Sequence, residues 1–294
     1  MELRTLRYFL AIAEDENMTL AANRLHLSQS ALSRQLTELE DTLGRKLFLR
    51  AGRRMLLTED GMLFRQRADE IVSLHDRMEA EFLQKKGSVS GDILIGAGET
   101  SAMKLLADTI REIHEEHGGI RFRLFSGNAD DVTHRLDHGL LDFGLPFEPV
   151  DTEKYEYLRL PASHTVGILM RKDSPYANQS VIHIGQLTDM PLMIASRQNY
   201  REKLFRGLNI DLSDLNVIVT YNLLYNASVL VEEGAGYALA IDGLINTSGN
   251  SPLKFTPLTP TVNMGLLFVW RKGQILSAPA QLFLQMLKED LRKT

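Results

Sequence analysis

The stretch LSQSALSRQLTELE, residues 27–40, decides how this chain is read. Leu32, Leu36 and Leu39 recur at helical spacing, with Leu43 one turn further on, so one side of a helix is apolar and meant for a core. The other side carries Ser30, Arg34 and Thr37, with Gln29 and Ser33 near the N-terminal end, where a solvated helix ordinarily carries Glu and Lys. Short hydroxyls allow close approach to a surface. Gln can pair with adenine, Arg with guanine, and hydroxyls with bases or phosphates, which together suit a helix laid in the DNA major groove. The plain alternative is a polar surface helix with one arginine, and the neighbouring segments decide between the two.

Upstream, residues 4–15 place Leu6, Phe9, Leu10 and Ala13 on one helical stripe. Thr19 is the expected N-cap of a short second helix, LAANRLH, whose Ala21, Ala22 and Leu25 can pack closely. Ser28 caps the third helix, which runs to about Leu43 and stops at Gly44. Three helices with such short connections make a helix-turn-helix. Downstream, KLFLRAGRRMLLT reads as a small β-hairpin with Arg53 and Arg54 at its tip, suited to phosphates or the minor groove. Residues 24–58 hold seven basic side chains against three acidic, in a chain of net charge −5. A basic patch on an acidic protein marks a small nucleic-acid-binding module joined to something else.

From residue 59 to about 86 the pattern becomes one long helix. Phe64, Ala68, Ile71, His75, Met78 and Phe82 follow a repeat of 3.5 residues, with Leu74 alongside, which predicts a coiled-coil seam. A rod on the order of 40 Å with no evident partner in its own chain is expected to pair with a second subunit. KKGSVSG, residues 85–91, then serves as a hinge.

Beyond it, strand-like runs (DILIGA, IRFRLFSG, DFGL, TVGILMR, PLMIAS, NVIVTYN, YALAI, GLLFVWRK) alternate with helical segments. That alternation means an α/β architecture with mostly parallel sheets. We expect two lobes, the first over about 92–161 and 266–294 and the second over about 162–265, with a ligand between them. Thr100 and Ser101 in GAGETSA, Asn128 in SGNADD, Ser196 and Arg197 in ASRQN, and Asn222 in YN stand at strand ends that face such a cleft. Taken singly they are ordinary helix caps, but their convergence in both lobes points to effector binding. Arg197 would pair with an anionic effector and Asp242 with a cationic one, so the ligand charge stays open.

Other chemistries lack their residues. The chain has no cysteine, which removes disulfides, thiolate metal sites and cysteine nucleophiles and fits a reducing compartment. YFLAIA is too short for a signal peptide, and no run is long enough to cross a bilayer, so a cytoplasmic protein is expected. GAGETS has neither the lysine of a P-loop nor the third glycine of a dinucleotide fingerprint, and no G-x-S-x-G occurs. His134 with His138, and His114 with His117, have no H-E-x-x-H context and read as surface histidines. We expect no enzyme, no cofactor and no metal.

The run LRYFLAIAEDENMTLAANRLHLSQSALSRQLTELEDTLGRKLFLRAGRRMLLTEDG closely resembles the winged helix-turn-helix of LysR-type transcriptional regulators over about sixty residues. DILIG, LDHGLLDFGL and LVEEGAGYALAI follow in the order of that family's effector domain, although Asp242 stands where the family usually has proline. The resemblance implies an all-α winged helix-turn-helix at 1–58, a linker helix and hinge at 59–91, and an effector domain at 92–294 like the type II periplasmic binding proteins. It implies a homodimer or homotetramer that binds double-stranded DNA at interrupted palindromes and responds to a small molecule between the lobes. A solute-binding or metabolic α/β protein with an accessory helix-turn-helix is the competing expectation.

Overall fold

The computed structural model describes residues 1–52, 54–83, 89–148, 150–196, 205 and 210–293. It divides into two compact units, Met1–Lys85 and Lys86–Thr294.

In the first unit, α1 (Leu3–Asp15) buries Leu6, Phe9, Ile12 and Ala13. Phe9 is the centre of this core: its ring lies 5.1 Å from that of Phe48 and 4.8 Å from that of Phe64. The second helix, α2 (Met18–Arg24), is capped by Asn17 rather than Thr19: Asn17 Oδ1 accepts from Thr19 N at 2.9 Å and Leu20 N at 3.1 Å. Asn17 stands just before the helix, where its side chain reaches the first free amides, whereas Thr19 is already the second helical residue. His26, at φ 56°, turns the chain into α3 (Gln29–Leu43), which Ser28 caps and Gly44 ends at φ 65°. Leu32, Leu36 and Leu39 are buried, but Leu43 is 39% exposed because it lies past the last residue packed on the core.

The wing is the antiparallel pair β1 (Phe48–Ala51) and β2 (Arg54–Leu57), in register Phe48↔Leu57. Thr58 then caps α4 (Glu59–Phe82), accepting from Gly61 N at 2.9 Å and donating to Lys46 O at 2.8 Å. A Cβ on Gly61 would stand 2.0 Å from the Leu47 carbonyl oxygen, so this close crossing of helix and chain needs glycine. The expectation that α4 lacks a partner in its own chain holds for only part of it. Phe64, Ala68 and Val72 pack into the core beside α1, and Arg7 pairs with Asp76. Ile71, Leu74, Met78 and Phe82 stay between 40% and 85% exposed. A helix as long as α4 outruns the 13-residue α1 against which it lies.

The second unit is built around β6 (Tyr155–Arg171), a 17-residue strand that belongs to both lobes. On one side of it, β3 (Gly91–Ala97) pairs in parallel with β4 (Ile120–Ser126) and β5 (Phe143–Leu145). Between β3 and β4 runs α5 (Lys104–Glu116), and between β4 and β5 runs α6 (Ala129–Asp137). On the other side lie the short β7 (Ile182–His183), then β8 (Leu192–Ala195), β9 (Val217–Tyr221), α7 (Leu224–Glu232) and β10 (Tyr237–Ile241). The chain returns through β11 (Leu253–Thr259) and β12 (Asn263–Arg271) and closes on α8 (Ala278–Lys293).

The sheets are mixed rather than mostly parallel, because β6 is antiparallel to β10, β11 and β12. For the last two the reason is topological: β6 carries the chain out to the second lobe, and β11 and β12 carry it back. Residues 155–165 of β6 pair with β12, and residues 167–171 pair with β11. The exchange between lobes therefore falls near Thr165 on the way out and between Thr259 and Asn263 on the return. Each lobe has its own core, around Phe143, Phe268 and Phe283 in the first and around Ile168, Leu192 and Leu258 in the second.

Candidate functional site

Two surfaces gather the residues singled out by sequence. On α3, Gln29, Ser30, Arg34 and Thr37 are exposed and Ser33 is half-buried, opposite the fully buried Leu32. Arg34 is exposed, and among the described residues no ion pair engages it. Thr37 differs from expectation: its hydroxyl donates to Ser33 O at 3.0 Å, leaving a methyl and a lone pair outward rather than a donor. Ser30 Oγ shares a hydrogen bond with the capping Ser28 Oγ at 3.2 Å. Arg54 begins β2 and is three-quarters exposed, with Glu16 a distant 3.9 Å away. Arg53 lies outside the described residues.

Sequence reasoning missed the residue that fixes α3 to the wing. Glu40 is buried at the end of the apolar stripe, and its Oε1 accepts from Leu47 N at 2.9 Å and Phe48 N at 3.2 Å. Its Oε2 accepts from Lys46 Nζ at 2.6 Å, and that bond holds the Lys46 ammonium above its ordinary pKa range. The signal was available: Glu40 adjoins Leu39 on the buried side, where a carboxylate requires partners.

The second surface is a cleft in the Lys86–Thr294 unit. Asn128 from one lobe and Ser196 and Asn222 from the other line it together. Its walls are apolar, with Phe147, Leu239, Ile241, Leu244 and Met264. Arg197 lies outside the described residues. Thr100, Ser101 and Asp242 are not among the residues that line it. Thr100 Oγ1 is 3.1 Å from His164 Nε2, and His164 Nδ1 is 3.1 Å from Asp242 Oδ1. Asp242 Oδ1 also accepts from Thr165 N at 3.0 Å. His164, 4% exposed on the crossing strand, thus links the first turn after β3 to the end of β10. Ser101 Oγ faces Gly243, where a Cβ would come within 3.3 Å.

This arrangement resembles an Asp–His–hydroxyl relay, but Thr100 also accepts from Ala102 N at 3.1 Å as the cap of a short 3-10 turn. The three side chains bridge the turn after β3 and the end of β10. The residue next to it, Glu99, does line the cleft and was passed over in sequence because a lone acid in a glycine-rich turn carries no spacing signal. The rings of His134 and His138 lie 4.2 Å apart, and His138 Nδ1 meets the His134 carbonyl at 2.7 Å. Among the described residues no helix is long and apolar enough to cross a membrane.

Comparison with known proteins gives consistent matches over the whole chain. A family model described as the bacterial regulatory helix-turn-helix protein of the lysR family matches residues 3–62, and one described as the LysR substrate binding domain matches residues 86–292. The Hca operon transcriptional activator HcaR of Escherichia coli K12 is 30% identical, over 94% of this chain and 93% of its own length. The regulator BsdA of Bacillus subtilis 168 is 25% identical, over 97% of this chain and 100% of its own. Full-length CbnR complexed with its target DNA shares the fold with a TM-score of 0.71 at 21% identity, covering 99% of this chain and 100% of that one.

Proposed function

The chain belongs to the LysR family of transcriptional regulators, and from that premise we propose how its parts divide the work. It is a DNA-binding regulator with an effector-binding domain, and its relatives are regulators rather than enzymes. Residues 1–58 bind the operator, residues 59–91 link and dimerise, and residues 92–294 sense the effector. The observation that carries the DNA assignment is the exposed face of α3, where Gln29, Ser30 and Arg34 stand clear of the core on a helix whose other side is buried. Inserted N-terminus first, that face meets base edges, while Arg53 and Arg54 meet phosphates of the flanking backbone. An interrupted palindrome follows from two such helices in one dimer.

The exposed Ile71, Leu74, Met78 and Phe82 of α4 support pairing of two subunits through the linker helix, and family resemblance supports assembly of dimers into a tetramer. The effector lies in the cleft against Asn128, Ser196 and Asn222, and the sequence pattern alone supports Arg197, Thr100, Ser101 and Asp242 as further contacts. Work on chromosomal DNA puts the protein in the cytoplasm. Footprinting on DNA from the protein's own locus tests the reading: Arg34→Ala should abolish specific protection while the circular dichroism spectrum stays unchanged. An unaltered footprint for the variant removes Arg34 from the base-reading set.

A further inference from the structure

The exposed face of α3 changes character along its length. Ser30 and Arg34 present neutral and basic groups, whereas Glu38 and Asp41, further along the same face, are exposed carboxylates. Glu38 Oε2 accepts from Gln35 Nε2 at 3.0 Å. Carboxylates repel the phosphates of DNA, so the part of the face suited to a groove ends at Thr37. Thr37 is exposed, and its hydroxyl already donates to Ser33 O at 3.0 Å. With the hydroxyl turned back onto the helix, the γ-methyl is the group left to meet a partner. Thr37 also lines, with Ser33, Lys46 and Arg50, a groove between α3 and the wing. Glu40 lines it too, but its carboxylate is committed to Lys46 and to the Leu47 and Phe48 amides. Arg50 adds positive charge from the wing side, so a DNA strand seated in this groove brings its bases against Thr37.

A threonine hydroxyl has a single proton to donate. Spent on Ser33 O, it leaves no donor for guanine O6 and N7, adenine N7 or thymine O4, the acceptors of the major-groove edge. Thymine alone adds a methyl group to that edge, and apolar contact with it needs no hydrogen bond. Resting on the reading of α3 as the base-reading helix, we propose that Thr37 is a specificity residue that selects a thymine in each half-site by methyl–methyl contact. Arg34 and Gln29 then read by hydrogen bonds, and Thr37 reads by shape and apolarity. The competing readout by the same side chain is its oxygen, which accepts from the amino group of adenine or cytosine, and the two are separable by deleting either group.

The test uses the full-length protein and the operator located by footprinting. Each thymine of a half-site is replaced in turn by deoxyuridine, which lacks only the methyl group, and affinity is measured by fluorescence anisotropy at one salt concentration. In the wild type, one thymine per half-site should lose about fourfold in affinity on replacement, the weight of one buried methyl group. Thr37→Ser keeps the hydroxyl and drops the methyl, so at that position it should bind thymine and deoxyuridine operators alike. Thr37→Val keeps a methyl and drops the oxygen, so it should retain the preference for thymine. Loss of the preference in Thr37→Val assigns the contact to the oxygen and overturns the proposal. Survival of the preference in Thr37→Ser overturns it too, as does a wild type indifferent to deoxyuridine at every position. Arg34→Ala separates this proposal from the reading beneath it. If Arg34→Ala loses the footprint, α3 remains the base-reading helix and only the role of Thr37 is at issue. If Arg34→Ala and both Thr37 variants bind as the wild type does, the reading of α3 itself fails.

Discussion

Replacing Glu40 by alanine tests whether one buried carboxylate holds the wing against the helix presented to DNA. The substitution takes the acceptor from the Leu47 and Phe48 amides, whose residues are 2% and 6% exposed. A buried amide left without a partner costs about 1–3 kcal/mol. Water entering the space left by the side chain recovers part of this, so about 3 kcal/mol in total is expected for the pair. The Lys46 contact adds little, because the Lys46 side chain is 66% exposed and its charge is screened. Glutamine preserves an acceptor oxygen for both amides, so Glu40→Gln should cost about 1 kcal/mol or less. Hydrogen exchange on the full-length protein reads the difference directly. Amides of the wing that open with the unit should exchange roughly 100-fold faster in Glu40→Ala, since each 1.4 kcal/mol is about a factor of ten. DNA affinity should fall across sequences alike, because the wing loses its position and α3 keeps its face. Wild-type exchange rates in Glu40→Ala, or equal damage from Glu40→Gln, would refute the reasoning.

Two further outcomes are expected. The double change Ile71→Asp with Met78→Asp puts charges on side chains that are 47% and 51% exposed within one subunit, so it should leave each unit folded and convert the assembly to monomers by light scattering; an unchanged mass removes α4 from the interface. Thr109 is fully buried and donates to Asp290 Oδ2 at 2.7 Å, which with Lys293 holds the Asp290 carboxyl below its usual range. A carboxylate depressed in the folded state stabilises above its unfolded pKa and loses that contribution as pH falls through the folded value. Thr109→Val should therefore destabilise by about 1–2 kcal/mol at neutral pH, with the gap from wild type closing below about pH 4. A gap that stays constant through the acid range in denaturant titrations contradicts the link.

What the sequence determined by itself is whatever its short-range patterns encode. The leucine spacing of residues 32–39, the Ser28 cap and the Gly44 stop are properties of neighbours within one or two helical turns, and they led to the helix-turn-helix and its outward face. The same holds for the wing and for the alternation of strands and helices after residue 91. Even here the expected cap, Thr19, gave way to Asn17, because the helix starts earlier than the pattern suggested. The family resemblance then extended these patterns to a function.

The tertiary structure decided everything that depends on register between distant segments. Thr100, His164 and Asp242 meet across 64 and 78 residues because β6 crosses between the lobes in one alignment. Glu99 reaches the start of α7 across 125 residues, an encounter no periodicity announces. The seam on α4 is divided between α1 and solvent by where α1 ends. Backbone periodicity is written in each helix and strand, whereas side-chain pairing is set by how the sheets align.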